Sequence, residues 1–495
     1  MARPVKPERL ATIALAAALA CLGGCSSYWP LSEDLERRIA AEATLEPSIA
    51  DDDAVRAFAT AAFRGTLDEA IAFELPVAPV LADYVRLALE RNPGIQTMVR
   101  QLEALGMQVP QVTSLDDPLL AVVPPIGDMA ETAAGQMDAS VGLSQSVPFP
   151  AKLAARGRIA EQIVRIALEN LRATRLDTVK RVRHAYFAYY LAHASIAVTR
   201  ENQTLVGHIR DVARAKLEAG LAPQQDVSRA EVHLYELSNA LLMLEQQRRS
   251  AVARLNALMD RAVTAELPAP VAFDPRQTSW RLDALLARAA EANPALQALR
   301  QKVGRDLEAV HLAGLAYWPD FSAGASYSFV GGGISPIATG DDFWNLSLGL
   351  RLPVWLHRIR AGILEKNASA VASALEYRSR RNDVYSAIED ALARVEARHQ
   401  SAVLFRDAIL PKAAQAVAES ESSYQAASAD FLAWIDNWTR LLGLTLEYHQ
   451  VIASLEQDIA TLDELVGGGL DGREAPTAPA SIDGGAQPQE REVPR

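Results

Sequence analysis

The residues that carry chemistry in most enzymes are thinly spread in this chain. Its eight histidines (His184, His193, His208, His233, His311, His357, His399 and His449) are scattered, and none pairs with another at a metal-ligand spacing such as H-x₃-H. No G-x-S-x-G elbow, phosphate loop or dinucleotide fingerprint stands in a strand–helix context. The expectation is a protein that is not an enzyme, with no cofactor and no metal site. Of the two cysteines, Cys21 and Cys25, neither can staple the body of the chain, because both lie near its N-terminus. Cys25 does have a chemical context. Arg3, Lys6 and Arg9 form a basic start, and Ala11 to Leu22 form an apolar run too short to span a bilayer. Leu22-Gly23-Gly24-Cys25 then matches the bacterial lipobox, in which the cysteine thiol is lipidated, with palmitate among its acyl groups, and becomes the first residue. Ser26, rather than aspartate, favours sorting to the outer membrane. Residues 1–24 therefore read as a lipoprotein signal peptide.

The chain has 495 residues, 49% apolar but only 6% aromatic. Alanine and leucine carry most of that hydrophobicity, which favours extended helix packing over a large aromatic core. A net charge of −12 argues against nucleic acid, since phosphate neutralisation needs clustered lysine and arginine. No other apolar run is long enough for a transmembrane helix. Entry into a membrane would have to be as a β-barrel.

Two runs of strict alternation meet that requirement. Phe321, Ala323, Ala325, Tyr327 and Phe329 face one way, and Ser322, Gly324, Ser326 and Ser328 the other. Across a glycine-rich loop, Trp344, Leu346, Leu348, Leu350 and Leu352 alternate with Asn345, Ser347, Gly349 and Arg351. Period two means strands with one apolar and one polar face. Strands of about ten residues with aromatic ends (Tyr317, Trp318, Trp344, Trp355) suit a membrane barrel, in which lipid takes the place of a core.

The surrounding pattern occurs twice. Leu89-Glu90-Arg91-Asn92-Pro93-Gly94 is echoed by Ala290-Glu291-Ala292-Asn293-Pro294-Ala295. In each, a helix breaks at Asn-Pro and resumes, because proline lacks a backbone donor and disfavours helix in the residue before it. A strand region comes next in both copies, then a basic segment opening a very long helix. Lys152 to Ala219 holds no proline and would span roughly 100 Å at 1.5 Å per residue. The chain is thus expected to be an internal duplication. Residues 25–80 form a leader or anchor segment. Residues 81–270 form the first repeat, with strands at about 118–148, a long helix at about 152–219 and a return helix at about 224–259. Residues 271–466 form the second, with strands at about 320–353, a long helix at about 357–427 kinked near Pro411, and a return helix at about 431–466. Residues 467–495 read as a disordered tail. At the first turn, Gly220 suits a left-handed helix stop and Pro223 a new helix start.

With these features the chain resembles the TolC family of outer-membrane efflux channels over nearly its whole mature length. Ser144-Gln145-Ser146-Val147-Pro148-Phe149-Pro150-Ala151-Lys152-Leu153 is similar to the form found in the heavy-metal efflux branch, which is served by resistance–nodulation–division pumps. Gly220-Leu221 with Asp226-Val227 resembles the family's first periplasmic turn, and Tyr424 with Asp430-Phe431-Leu432 the second. The resemblance implies a mainly α fold with a β-barrel portion, in which a homotrimer forms a twelve-stranded membrane barrel on a periplasmic α-helical tunnel. It implies a passive duct in the outer membrane that receives small molecules or metal ions from an inner-membrane resistance–nodulation–division pump through a periplasmic adaptor. It also implies turn tips at Gly220, Pro223, Ala427 and Asp430, and a periplasmic gate at Asp226, Tyr424 and Asp436. Ala427 stands where the family usually has glycine, and Ala429 where some members have a gating arginine. Phe431, Trp434 and Trp438 share one stripe of the return helix and read as buried packing rather than an adaptor-docking patch. The alternative is a coiled-coil adaptor or structural lipoprotein, in which a lipid-facing alternation would have no use.

Overall fold

A computed structural model of the chain describes residues 78–124, 131–132, 135–271, 273, 280–331, 340–426 and 430–470, together with Leu35, Arg37 and Pro76. Cys25 and its lipobox, Ala427, Ala429, most of the leader and the tail beyond residue 470 lie outside the described residues. The chain divides into two units. The first comprises Met1–Ala185, Arg249–Val271 and Pro294–Ser386, and the second Tyr186–Arg248, Ala272–Asn293 and Ala387–Arg495.

The first unit contains the sheet. Its strands are β1 (Leu119–Val123), β2 (Glu131–Thr132), β3 (Gly135–Val147), β4 (Asp320–Gly331) and β5 (Phe343–Arg351). Strand order is β1-β3-β4-β5, all antiparallel, with the short β2 pairing β3 beyond β1. The two sequence hairpins are therefore joined through β3 and β4, which pair from Val147↔Phe321 to Gln136↔Gly331 with a bulge between Met137 and Ala139.

Register sorts the side chains by face. Val141, Tyr327 and Trp344 line up across three strands, as do Leu143, Ala325 and Leu346. The neighbouring rows are small and polar: Gly142, Ser326 and Asn345, then Ser144, Gly324 and Ser347. On that polar face strands approach closely, and a Cβ on Gly349 would lie 2.3 Å from the Ser322 hydroxyl.

The helices of this unit are α1 (Leu81–Arg91), α2 (Pro93–Gly106), α3 (Gln108–Thr113), the start of α4 (Pro150–Glu218), the end of α5 (Gln224–Leu258), α7 (Pro294–Gly314) and the start of α8 (Leu356–Leu404). Ile95, Leu102 and Val109 pack on Val164, Leu168 and Leu171 of α4, and Leu35 of the leader is buried among them. Asn92 breaks the helix as its sequence requires and caps α2. Its Oδ1 accepts from Gly94 N at 2.9 Å, while its Nδ2 donates to the Leu258 carbonyl at 3.0 Å. The Pro-Phe-Pro-Ala-Lys segment seats the sheet on α4. The Phe149 ring stacks on Trp318 at 4.9 Å, and Asp320 accepts from Lys152 Nζ at 2.7 Å and Phe149 N at 3.0 Å.

The second unit holds the rest of α4, α5 and α8, with α6 (Leu282–Ala292), α9 (Leu410–Gln425) and α10 (Phe431–Val466). Between α8 and α9 a π-turn spans Phe405–Ile409. Asn293 repeats the role of Asn92, donating to the Leu465 carbonyl at 2.8 Å. Gly467–Leu470, where the sequence suggests the start of a disordered tail, belong to the fold instead. Three glycines at φ 90°, 86° and 86° turn the chain, and Leu470 N donates to Asp463 Oδ1 at 2.7 Å. A glycine run resembles a disordered segment in composition, whereas here it supplies the left-handed helix stop.

Candidate functional site

The helix turns of the second unit gather most of the sequence-selected residues. Helix α4 ends in a Schellman motif: Leu221 N donates to Lys216 O at 2.8 Å and Gly220 N to Leu217 O at 2.9 Å. Gly220 takes φ 71° there, a conformation that penalises any residue with a Cβ. Helix α5 begins just after Pro223, and Asp226 N donates to Pro223 O at 3.2 Å, which places the Asp226 carboxylate in the first turn. The second turn runs from the end of α9 at Gln425 to Asp430, which precedes α10 with extended backbone.

Between these turns lies an apolar cluster. Val206, Ile209, Ala213, Val227, Ala230 and Leu237 of the first hairpin pack with Tyr424, Phe431, Trp434, Ile435 and Trp438 of the second. Phe431, Trp434 and Trp438 are all buried. The Tyr424 ring meets Phe431 at 5.6 Å and Trp434 at 5.3 Å.

One polar contact is enclosed in this cluster. Tyr424 Oη donates to Asp226 Oδ2 at 3.4 Å, and the two residues are 5% and 7% exposed. Burial raises the Asp226 carboxyl above its ordinary value and the nearby Asp430 raises it further, while the Tyr424 hydroxyl and Arg229 act in the opposite sense. Burial, then Asp226 and Asp430, push the Tyr424 phenol up to about 12. The structure thus brings together Asp226, Tyr424 and Asp430 from the expected residues. Gly220 and Pro223 shape the first turn, and Asp436 is exposed on α10.

Sequence reasoning misses Lys216. Its Nζ donates to the Tyr424 carbonyl and lies 4.1 Å from the centre of the Tyr424 ring. A lysine in the last turn of a helix is an ordinary sequence feature, so only the long-range contact marks it.

The sheet is a second candidate site. Leu346 is 75% and Leu348 81% exposed. Trp344, Leu350 and Leu352 are also exposed, as are Leu120 and Val122 of β1, which pair with Leu143 and Val141 on the same face. Nothing in the described chain covers this face. No described helix is long and apolar enough to cross a membrane.

Comparison with known proteins finds that residues 84–261 match the family model of outer membrane efflux proteins. No curated protein matches the sequence. Among solved structures, that of CusC, described for its transmembrane channel formation, is similar with a TM-score of 0.68 at 15% identity, covering 81% of this chain and 99% of that one. The CmeC outer membrane channel of Campylobacter jejuni aligns at TM-score 0.66 and 15% identity, over 79% of this chain and 86% of that one. The open state of the MtrE outer membrane channel of Neisseria gonorrhoeae aligns at 0.65 and 18%, over 79% and 90%. These are likenesses of fold.

Proposed function

We propose, from the premise that the chain belongs over residues 84–261 to the outer membrane efflux protein family, that it is one subunit of a trimeric outer-membrane duct for tripartite efflux. The observation that carries this reading is the two-faced sheet, with a Leu/Trp/Phe face exposed on one side and a Ser/Gly/Asn face on the other. An exposed apolar face of this size is costly in water, at roughly 25 cal/mol per Å². Lipid removes that cost. A coiled-coil adaptor would have no use for such a face.

The sheet also supplies the argument for assembly. Within the described chain, β5 has an unpaired outer edge and β1 is paired only to β3. Open edges are not tolerated in hydrocarbon, and membrane barrels need about eight strands or more. Three copies, each giving its four main strands, would close a twelve-stranded barrel. The long helices would then form the periplasmic tunnel, since roughly 100 Å of α4 at 1.5 Å per residue is a sensible reach toward the inner membrane. Cys25 would anchor the leader in the outer membrane. The duct would receive small molecules or metal ions from a resistance–nodulation–division pump through a periplasmic adaptor and would catalyse nothing. Asp226 and Tyr424 would hold its periplasmic end closed, with Asp436 an exposed carboxylate near it. The test is electrophoresis of outer-membrane fractions. A heat-modifiable, trimer-sized band supports the duct, and a monomer-sized band in unheated samples would refute it.

A further inference from the structure

The ends of α4 and α9 come from different repeats, yet one ammonium group joins them. Lys216 occupies the last turn of α4, where several backbone carbonyls have no helical partner and a cation is favoured. Its Nζ instead donates to the carbonyl of Tyr424, 208 residues away. That carbonyl lies in the last turn of α9, where the Ala426 N–H also points at it. The same ammonium lies 4.1 Å from the face of the Tyr424 ring, within range of a cation–π attraction. Asp226 and Asp430 add negative charge around the Tyr424 side chain. Lys216 therefore binds the second turn through both the backbone and the ring of one residue.

The other polar tie between these turns is weaker. The Tyr424–Asp226 hydrogen bond is 3.4 Å long, beyond the usual 2.5–3.0 Å for O–H···O.

We propose that Lys216 is the clasp that holds the two helical hairpins of a subunit together at their turns, and that its release is a required step in opening the duct. This rests on the reading of that end as the gate. The experiment uses the full-length protein as wild type, Lys216→Met, Lys216→Arg and Tyr424→Phe, each checked for the heat-modifiable trimer. Amide hydrogen exchange over Leu217–Gln225 and Ser422–Ala426 reads the clasp itself. Lys216→Met should speed exchange there about tenfold, Lys216→Arg should stay near wild type, and Tyr424→Phe should fall between them. Conductance in planar bilayers reads the gate, and Lys216→Met should raise it while Lys216→Arg does not. Unchanged exchange in Lys216→Met would overturn the clasp. Faster exchange with unchanged conductance would overturn the gate reading and leave Lys216 a purely structural tie.

Discussion

The side-chain amide of Asn92 donates to the carbonyl of Leu258 at 3.0 Å, joining the start of α2 to the end of α5. Asn293 and Leu465 repeat the arrangement at 2.8 Å. In each case a residue whose partner in sequence is proline supplies a donor to a helix-end carbonyl that would otherwise lack one. Asn92 also caps α2 through Gly94 N. Asn92→Ala should therefore cost about 1–2 kcal/mol, from the cap and the donor together. Asn92→Ser, which keeps a capping oxygen without reaching the Leu258 carbonyl, should cost less. Denaturant midpoints of the solubilised protein check the order.

The Asp226 carboxyl is raised by burial and by Asp430, so the folded state holds a proton that the unfolded state has released. Its contribution is fully present below about pH 3.8, the unfolded value, and is lost as pH rises through the higher folded value. Asp226→Asn should flatten this dependence. The check is the difference in tip hydrogen exchange between wild type and variant across that window, and a difference independent of pH would contradict it.

Much of the molecule is legible in its sequence. The alternation of Phe321–Phe329 and Trp344–Leu352 reflects the two-residue repeat of a strand, which no helix reproduces, and β4 and β5 lie there. Asn92-Pro93 and Asn293-Pro294 mark real helix boundaries because proline leaves the chain little choice. The pairing of β3 with β4 is not legible, since alternation fixes a strand's faces and not its distant neighbour. Near Pro411, where a kink is expected, the helix carries a π-turn at Phe405–Ile409. The proline ring clashes with the carbonyl four residues back, at Asp407, and the displaced backbone lies on that side. Lys216 is invisible in the sequence for a different reason. Its partner is a backbone carbonyl, which carries no sequence signature.

A methyl group on Gly349 would meet the Ser322 hydroxyl, which must rotate to admit it. Gly349→Ala should destabilise the sheet by no more than about 1 kcal/mol, the low end of overpacking costs, because only that hydroxyl has to move. Removing the obstructing hydroxyl in Gly349→Ala with Ser322→Ala should restore most of it, because the Ser322 Cβ lies 3.7 Å from the added carbon. The temperature at which the trimer band dissociates gives the readout.

Asp436 is exposed, unlike Asp226. If threefold assembly makes it part of a carboxylate ring, Asp436→Asn should reduce cation preference in the reversal potential without lowering stability. Asp226→Ala with Asp436→Ala should also raise single-channel conductance, because the first change frees Tyr424 from its buried acceptor. Unchanged conductance would remove these carboxylates from the gate.

The central claim is that the apolar face of the sheet meets lipid. Spin labels placed singly at 344 to 350 on β5, in the full-length protein in vesicles, test it directly. The account predicts period-two accessibility. Labels at 346, 348 and 350 should collide with lipid-soluble oxygen and be shielded from a water-soluble nickel chelate, and labels at 345, 347 and 349 should do the reverse. Uniform access of the chelate to both sets would contradict a membrane sheet.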